Sequence, residues 1–292
     1  MIRLLPLLMV TACGGGDDPE KTPSETACNG YDELCDRTVD DITWARAHNA
    51  HATDERGYHL TARNHLAAIP TQLESGIRSL NVHVWDYLED PEFPEITLWA
   101  CHTYCSLGRQ PMDEVLVEVE DFLAANEREV ILLDFGMATE HERIREPLEN
   151  SGLASRAYVY IAGETWPTLG EMIDAEQRLM IIGGDAPDMP DWYLNKETFW
   201  YGTPWGAKQP EDFDCGLKDG IFLEGGLFEL ENSLTDPISL IELAELVNYE
   251  EQLLPRAEEC GAEVGKNPNL LSVDFWDVGD VVLVADKLNG VR

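Results

Sequence analysis

Apolar runs rich in Val, Ile and Leu recur along this chain between stretches whose apolar residues fall at helical spacing. That alternation is the pattern of a parallel sheet buried on both faces. Eight strands are expected, at about residues 42–47, 77–85, 97–102, 130–136, 157–162, 178–184, 221–232 and 270–276. Between Pro111 and Asn126, the residues Met112, Val115, Leu116, Val119, Phe122 and Leu123 repeat every three or four positions, which predicts a helix, and Ile238 to Cys260 carries a second such pattern. Strands alternating with helices, without an isolated second core, predict a single α/β domain, a (β/α)8 TIM barrel over residues 40–292. The stretch from Asp185 to Gly220, rich in proline and tryptophan, reads as a long excursion beside the barrel mouth.

The first apolar run differs from the others. It spans Leu4 to Val10 behind Arg3 and ends at Val10-Thr11-Ala12-Cys13. This reads as a signal peptide over residues 1–12, too short to cross a bilayer as a mature helix. The small residues before Cys13 resemble the lipobox of bacterial lipoproteins, which implies cleavage before Cys13, lipidation of its sulfur and membrane attachment through it. An ordinary secretory signal with an incidental cysteine is the alternative. Residues 13–39 then form the lipidated cysteine and a tether, with 14 to about 27 its Gly-, Asp- and Pro-rich flexible part. Gly14 after Cys13 resembles lipoproteins sorted to an outer membrane, so export to an outer membrane or cell surface is expected.

Setting Cys13 aside leaves six cysteines, an even number suited to an oxidising compartment. Proximity suggests Cys28–Cys35 and Cys101–Cys105, with Cys215–Cys260 by elimination, although 15 connectivities exist and free buried thiols are the alternative. The formal net charge of −36 argues against nucleic acid as a partner and against strong adsorption to anionic lipid, and reads as a solvated acidic surface.

Candidate chemistry collects at the C-terminal strand ends, where a barrel of this kind builds its site. His48, in Ala47-His48-Asn49, and His102, in Cys101-His102-Thr103-Tyr104-Cys105, both fall there, with Asn49 and Asp134. Two imidazoles with ordinary pKa near about 6.5 can divide acid and base work in phosphodiester cleavage. Asn81 and His83, two apart on one strand, share a face and can both point at the barrel axis. Asp86 is expected beyond that strand, in a loop.

These pieces, in this order, resemble the phosphatidylinositol-specific phospholipase C X-domain group of PLC-like phosphodiesterases. The resemblance runs from about residue 40 to 290 and includes Gln72-Leu73-Glu74-Ser75-Gly76-Ile77-Arg78, Phe122-Leu123, Glu129-Val130-Ile131-Leu132, Pro268-Asn269, Val273-Asp274-Phe275 and Leu288-Asn289-Gly290. It implies that His48 is a general base on an inositol 2-hydroxyl, that His102 is the general acid on the departing glycerol oxygen, and that Asp274 orients His48. It also implies a cyclic phosphate product and a phospholipid or related glycerophosphodiester substrate.

The chain departs from the family pattern at two positions. Metal-independent members resembling this chain carry arginine in place of His83 and an acidic residue in place of Asn81. Calcium-dependent members carry acidic residues at both, with the asparagine that Asn49 matches. Two readings follow. In one, Asn49, Asn81, His83 and Asp134 hold a divalent cation, calcium or magnesium, that neutralises the phosphate. In the other, Asn49, Asn81 and His83 bind the phosphate directly, with His83 protonated in the arginine's place. A monomer is expected. The altered pair also motivates a different class of function, a catalytically impaired barrel serving as a surface lipoprotein that binds lipid headgroups or glycans.

Overall fold

The computed structural model describes residues 24–86, 98–161 and 164–292. The expected signal peptide, Cys13 and the first part of the tether lie outside the described residues. Ten strands form one sheet: β1 (Trp44–Ala47), β2 (Ser79–Asp86), β3 (Leu98–Cys101), β4 (Arg109–Pro111), β5 (Ile131–Met137), β6 (Leu179–Gly183), β7 (Tyr193–Asn195), β8 (Trp200–Gly202), β9 (Leu227–Glu231) and β10 (Leu270–Val273). Eight of them follow the order β7-β6-β5-β2-β1-β10-β9-β8, and every neighbouring pair on that path is parallel. The sheet curls into an open barrel, its two edge strands joined in sequence by the single turn Lys196–Thr198. The helices are α1 (Ile69–Glu74), α2 (Met112–Ala125), α3 (Arg145–Asn150), α4 (Leu169–Asp174), α5 (Ile241–Ala244), α6 (Glu250–Val264) and α7 (Val281–Leu288).

The expected barrel therefore stands, but two of its strands are not the ones the pattern pointed to. Strand 97–102 is present as β3, yet it runs antiparallel to the end of β2, with Trp85 opposite Trp99, and continues into β4 outside the barrel path. Residues 157–161 make only one bridge, Ala157 to Leu179. Tyr158 and Tyr160 alternate as a strand would, but they pack on Trp166, with Tyr160 stacked at 4.7 Å. The missing strands are β7 and β8, inside the stretch expected to be an excursion. At three residues each they are too short for a two-residue period to register. Asp86 is the last residue of β2 rather than a loop residue, and it pairs with Arg143. The second helical pattern is split into α5 and α6, and the break frees buried Asn248 to donate to the Asp274 and Phe275 carbonyls.

Side chains alternate between two apolar layers. Ala45, Leu80, Leu133, Ile181, Leu230 and Leu271 face outward and pack with α2 residues such as Leu116 and Val119. Trp44, Leu132, Met180, Leu227 and Leu270 fill the lower barrel interior. The expected tether is corrected at its C-terminal end. Cys28, Leu34 and Val39 are buried in that lower core, so residues from Ala27 onward belong to the domain. All three disulfides are formed as expected, Cys28–Cys35, Cys101–Cys105 and Cys215–Cys260. Among the described residues, no helix is long and apolar enough to cross a membrane.

Candidate active site

Ala47 and Val273 are register partners on adjacent parallel strands, so the next residues, His48 and Asp274, leave the sheet side by side. The His48 Nδ1 lies 3.0 Å from Asp274 Oδ1. Two further donors hold the carboxylate: Asn64 Nδ2 on Oδ1 at 2.8 Å and Ser239 Oγ on Oδ2 at 2.5 Å. Burial alone would raise the Asp274 pKa, but the His48 charge and the hydrogen bonds from His48 and Ser239 outweigh it and hold the group below the usual carboxylate range. Burial likewise pulls the His48 pKa down, and the charge of Asp274, its hydrogen bond and the charge of Glu231 overcome this and lift it to about 9. The Asn49 amide nitrogen is 3.2 Å from His48 Nε2, and Asn49 Oδ1 has no partner. Turned over, the same amide presents that oxygen to an imidazolium, so Asn49 suits either protonation state of His48.

His102 follows β3 and directs Nδ1 to the Ala62 carbonyl at 2.9 Å. Burial is the main reason its pKa falls below the ordinary histidine value. His83, on β2, stands with its ring 6.4 Å from that of His102 and 6.4 Å from that of buried His51. Burial, with the charges of His48 and His102, depresses the His83 pKa to about 4, so this imidazole is neutral near pH 7 in the free protein. Opposite it in the ladder is Gly136, where a Cβ would come within 2.7 Å of the His83 ring. We expect Gly136→Ala to push His83 out of place and raise KM several-fold with kcat less affected, measurable by steady-state kinetics; unchanged KM would exclude a substrate-facing role for His83.

A shared backbone feature marks the three candidate catalytic residues. Each is followed by a non-glycine residue at positive φ: Asn49 at 52°, Thr103 at 62° and Phe275 at 48°. Asparagine tolerates this region, whereas a β-branched threonine and a bulky phenylalanine are strained there. Strain at Thr103 and Phe275, immediately after His102 and Asp274, is the pattern of a site whose geometry outranks local comfort.

Below the histidines the barrel interior carries charge. Arg46 donates through Nη2 to Asp134 at 2.7 Å, through Nε to Glu229 at 2.9 Å and through Nη1 to Ser79 at 3.2 Å. Lys196 Nζ reaches the other Asp134 oxygen at 3.2 Å, and Asn81 Nδ2 donates to Asp134 at 2.9 Å. Trp200 Nε1 donates to Glu229 at 2.9 Å. Buried though it is, Asp134 is held far below the usual carboxylate range by Lys196 and Arg46.

That network bears on the expected cation site of Asn49, Asn81, His83 and Asp134. Its one carboxylate is already engaged by two cations and an amide, and what remains is two amides and an imidazole. Hard dications require several oxygens, carboxylates foremost, so this donor set does not fit calcium or magnesium. Among the described residues, no three His, Cys, Asp or Glu side chains converge as metal ligands.

The expected catalytic histidines His48 and His102, the expected phosphate-facing groups Asn49, Asn81 and His83, and Asp134 of the expected cation site line one cleft of about 1010 Å³, with Asp274 just behind His48. Sequence reasoning missed Arg46, Asn64, Lys196, Glu229, Glu231 and Ser239. A signal for Arg46 did exist, because it lies two residues before His48 on a strand and so shares its face. Glu231, one strand beyond Asp274, has its pKa raised by burial despite the His48 charge. The rim of the cleft exposes Tyr104, Trp205 and Ile221.

A family model described as PI-PLC X 1 matches residues 34–289. An uncharacterized secreted protein of Arthroderma benhamiae is 27% identical over 96% of this chain and 68% of its own length. A PI-PLC X domain-containing protein of Arabidopsis thaliana is 26% identical over 85% of this chain and 62% of its own. Among solved structures, the phosphatidylinositol-specific phospholipase C of Listeria monocytogenes aligns with a TM-score of 0.60 at 12% identity, covering 88% of this chain and 95% of that one. A variant of the Staphylococcus aureus enzyme aligns with a TM-score of 0.58 at 11% identity, covering 88% and 95%.

Proposed function

Because the chain belongs to the PI-PLC X family, we propose that it is a metal-independent phosphoric diester lyase and hydrolase acting on phosphatidylinositol or a related glycerophosphodiester. The observation that carries this reading is the His48–Asp274 pair at 3.0 Å facing His102 across one cleft. His48 Nε2 takes the proton of the inositol 2-hydroxyl, whose oxygen forms a new bond to phosphorus. The bond from phosphorus to the glycerol oxygen breaks, and His102 delivers a proton to that oxygen. Inositol cyclic phosphate and diacylglycerol leave, and water can open the cyclic ester through the same two imidazoles in reversed roles. Asp274 fixes the His48 tautomer and stabilises the imidazolium that forms. Charge on the phosphorane oxygens meets the amide of Asn49, the ring of His83 and the Arg46 and Lys196 layer beneath.

The resting proton distribution predicts the pH profile. His48 binds a proton more tightly than His102, so the active arrangement, neutral His48 with protonated His102, is the minor tautomer of a pair carrying one proton. Activity is lost on the acid side when both rings are protonated, below the depressed His102 value, and on the alkaline side when neither is, above about 9. In Asp274→Asn the alkaline limb moves to lower pH, because removing a negative charge beside His48 lowers its pKa. An alkaline limb unmoved in that variant would sink the assignment.

The three disulfides are consistent with an oxidising, extracytoplasmic setting. We extend this to export as a lipoprotein anchored at Cys13. Growth with radiolabelled palmitate tests the anchor: label should enter the wild-type chain and not Cys13→Ala, and an unlabelled wild-type chain would leave an ordinary secreted protein.

A further inference from the structure

We propose that the Cys101–Cys105 disulfide is a positioning element for His102, acting in leaving-group protonation through that imidazole. The inference rests on the phosphodiesterase reading above. His48 and Asp274 need no staple. Each follows a barrel strand with parallel partners on both sides, β1 between β10 and β2, and β10 between β9 and β1. His102 is carried differently, by β3, which lies off the barrel path and, among the described residues, pairs antiparallel with Val84–Asp86 of β2 and with three-residue β4.

The disulfide joins the residue before His102 to the residue three after it, closing a small ring around the candidate acid. Both cysteines are buried and pack with Trp99 and Trp85 in a small apolar cluster separate from the two barrel cores. Inside the ring, Thr103 sits at a φ of 62°, a conformation a free β-branched residue avoids. Within the ring His102 Nδ1 meets the Ala62 carbonyl, and on either side of it the chain docks on the same segment 58–62 through Tyr58 Oη donating to the Ala100 carbonyl and His59 N–H donating to the Leu107 carbonyl. Cutting the crosslink lets Thr103 relax out of the left-handed region and turns His102 away from the leaving oxygen, while the barrel strands bearing His48 and Asp274 stay in register.

The test compares two substrates on one preparation, so that the fraction of folded enzyme cancels. One is phosphatidylinositol, whose alkoxide needs a proton to depart. The other is the 4-nitrophenyl ester of inositol 1-phosphate, whose phenolate leaves without one at neutral pH. In Cys101→Ala/Cys105→Ala we expect kcat on phosphatidylinositol to fall about 10- to 100-fold with KM little changed, and kcat on the nitrophenyl ester to fall less than about 3-fold. Cys28→Ala/Cys35→Ala, which removes the remote crosslink, should move both rates together. Equal losses on both substrates in the Cys101/Cys105 variant would overturn this inference alone. No turnover of either substrate by the wild-type chain would overturn it together with the proposed function.

Discussion

His48→Ala should lower kcat on phosphatidylinositol by about 10³- to 10⁴-fold while leaving KM within a few-fold. The 2-hydroxyl of an inositol is a poor nucleophile until its proton is removed, and His48 is the imidazole whose tautomer is set by a carboxylate, 3.0 Å away. Asn49 can hydrogen-bond but cannot accept a proton, and His83 and His102 stand on other strands. The side chain is about a third exposed, at 34%, so its removal leaves no large cavity and the fold should persist with nearly the wild-type melting temperature. Asp274→Asn should cost somewhat less than His48→Ala, because a base remains but its orientation and its charge partner do not. Steady-state kinetics on purified variants checks both, and a His48→Ala rate within a few-fold of wild type would remove the proposed mechanism.

Arg46→Ala should be the most destabilising single change in the barrel. Its side chain is 4% exposed and bridges Asp134 and Glu229, so truncation leaves buried Asp134 with Lys196 and Asn81 and half-buried Glu229 with Trp200 to face them. Breaking a buried pair by removing one partner costs roughly 3–5 kcal/mol, and for a domain of this size that is a fall in Tm of about 10 °C. The pH dependence follows from the sign of the shifts. Arg46 helps to hold Asp134 far below its ordinary pKa, and without it the folded-state pKa of Asp134 rises. The extra instability of the variant is therefore fully present at neutral pH and shrinks as acid protonates the orphaned carboxylate. Thermal unfolding of wild type and Arg46→Ala at pH 7 and at about pH 3, below the ordinary carboxylate range, measures this. A deficit that does not narrow on acidification would show that Arg46 acts through packing alone.

Much of this site is legible along the chain because parallel strands deliver their C-terminal residues to one place. His48 and Asp274 are distant in sequence, yet each directly follows an apolar strand, and that position alone predicts that they meet. The apolar run before His102 is equally visible. That it folds back on β2 as a hairpin is not, because pairing direction depends on partners far along the chain. β7 and β8 hide for a different reason: three residues among prolines carry no period, and they are strands only because β6 and β9 offer open edges. The charged layer under the histidines is the least legible part. Arg46, Asp134, Lys196 and Glu229 come from four separate segments, and their pairing exists only once the barrel curls. It also weighs against the expected cation site, since Asp134 looks like a ligand until its two cationic partners are known.

The exposed rim and the acidic surface leave a division of labour between substrate capture and chemistry. Trp205 is 75% exposed and Tyr104 is 66% exposed at the cleft mouth, while the reacting groups lie inside.

The most direct measurement is phosphorus NMR of phosphatidylinositol incubated with the protein in EDTA, repeated with calcium or magnesium restored. The account predicts an inositol cyclic phosphate resonance at full rate in EDTA, followed by slower appearance of inositol phosphate. Turnover only after calcium or magnesium is restored, or no cyclic product under any condition, would contradict it.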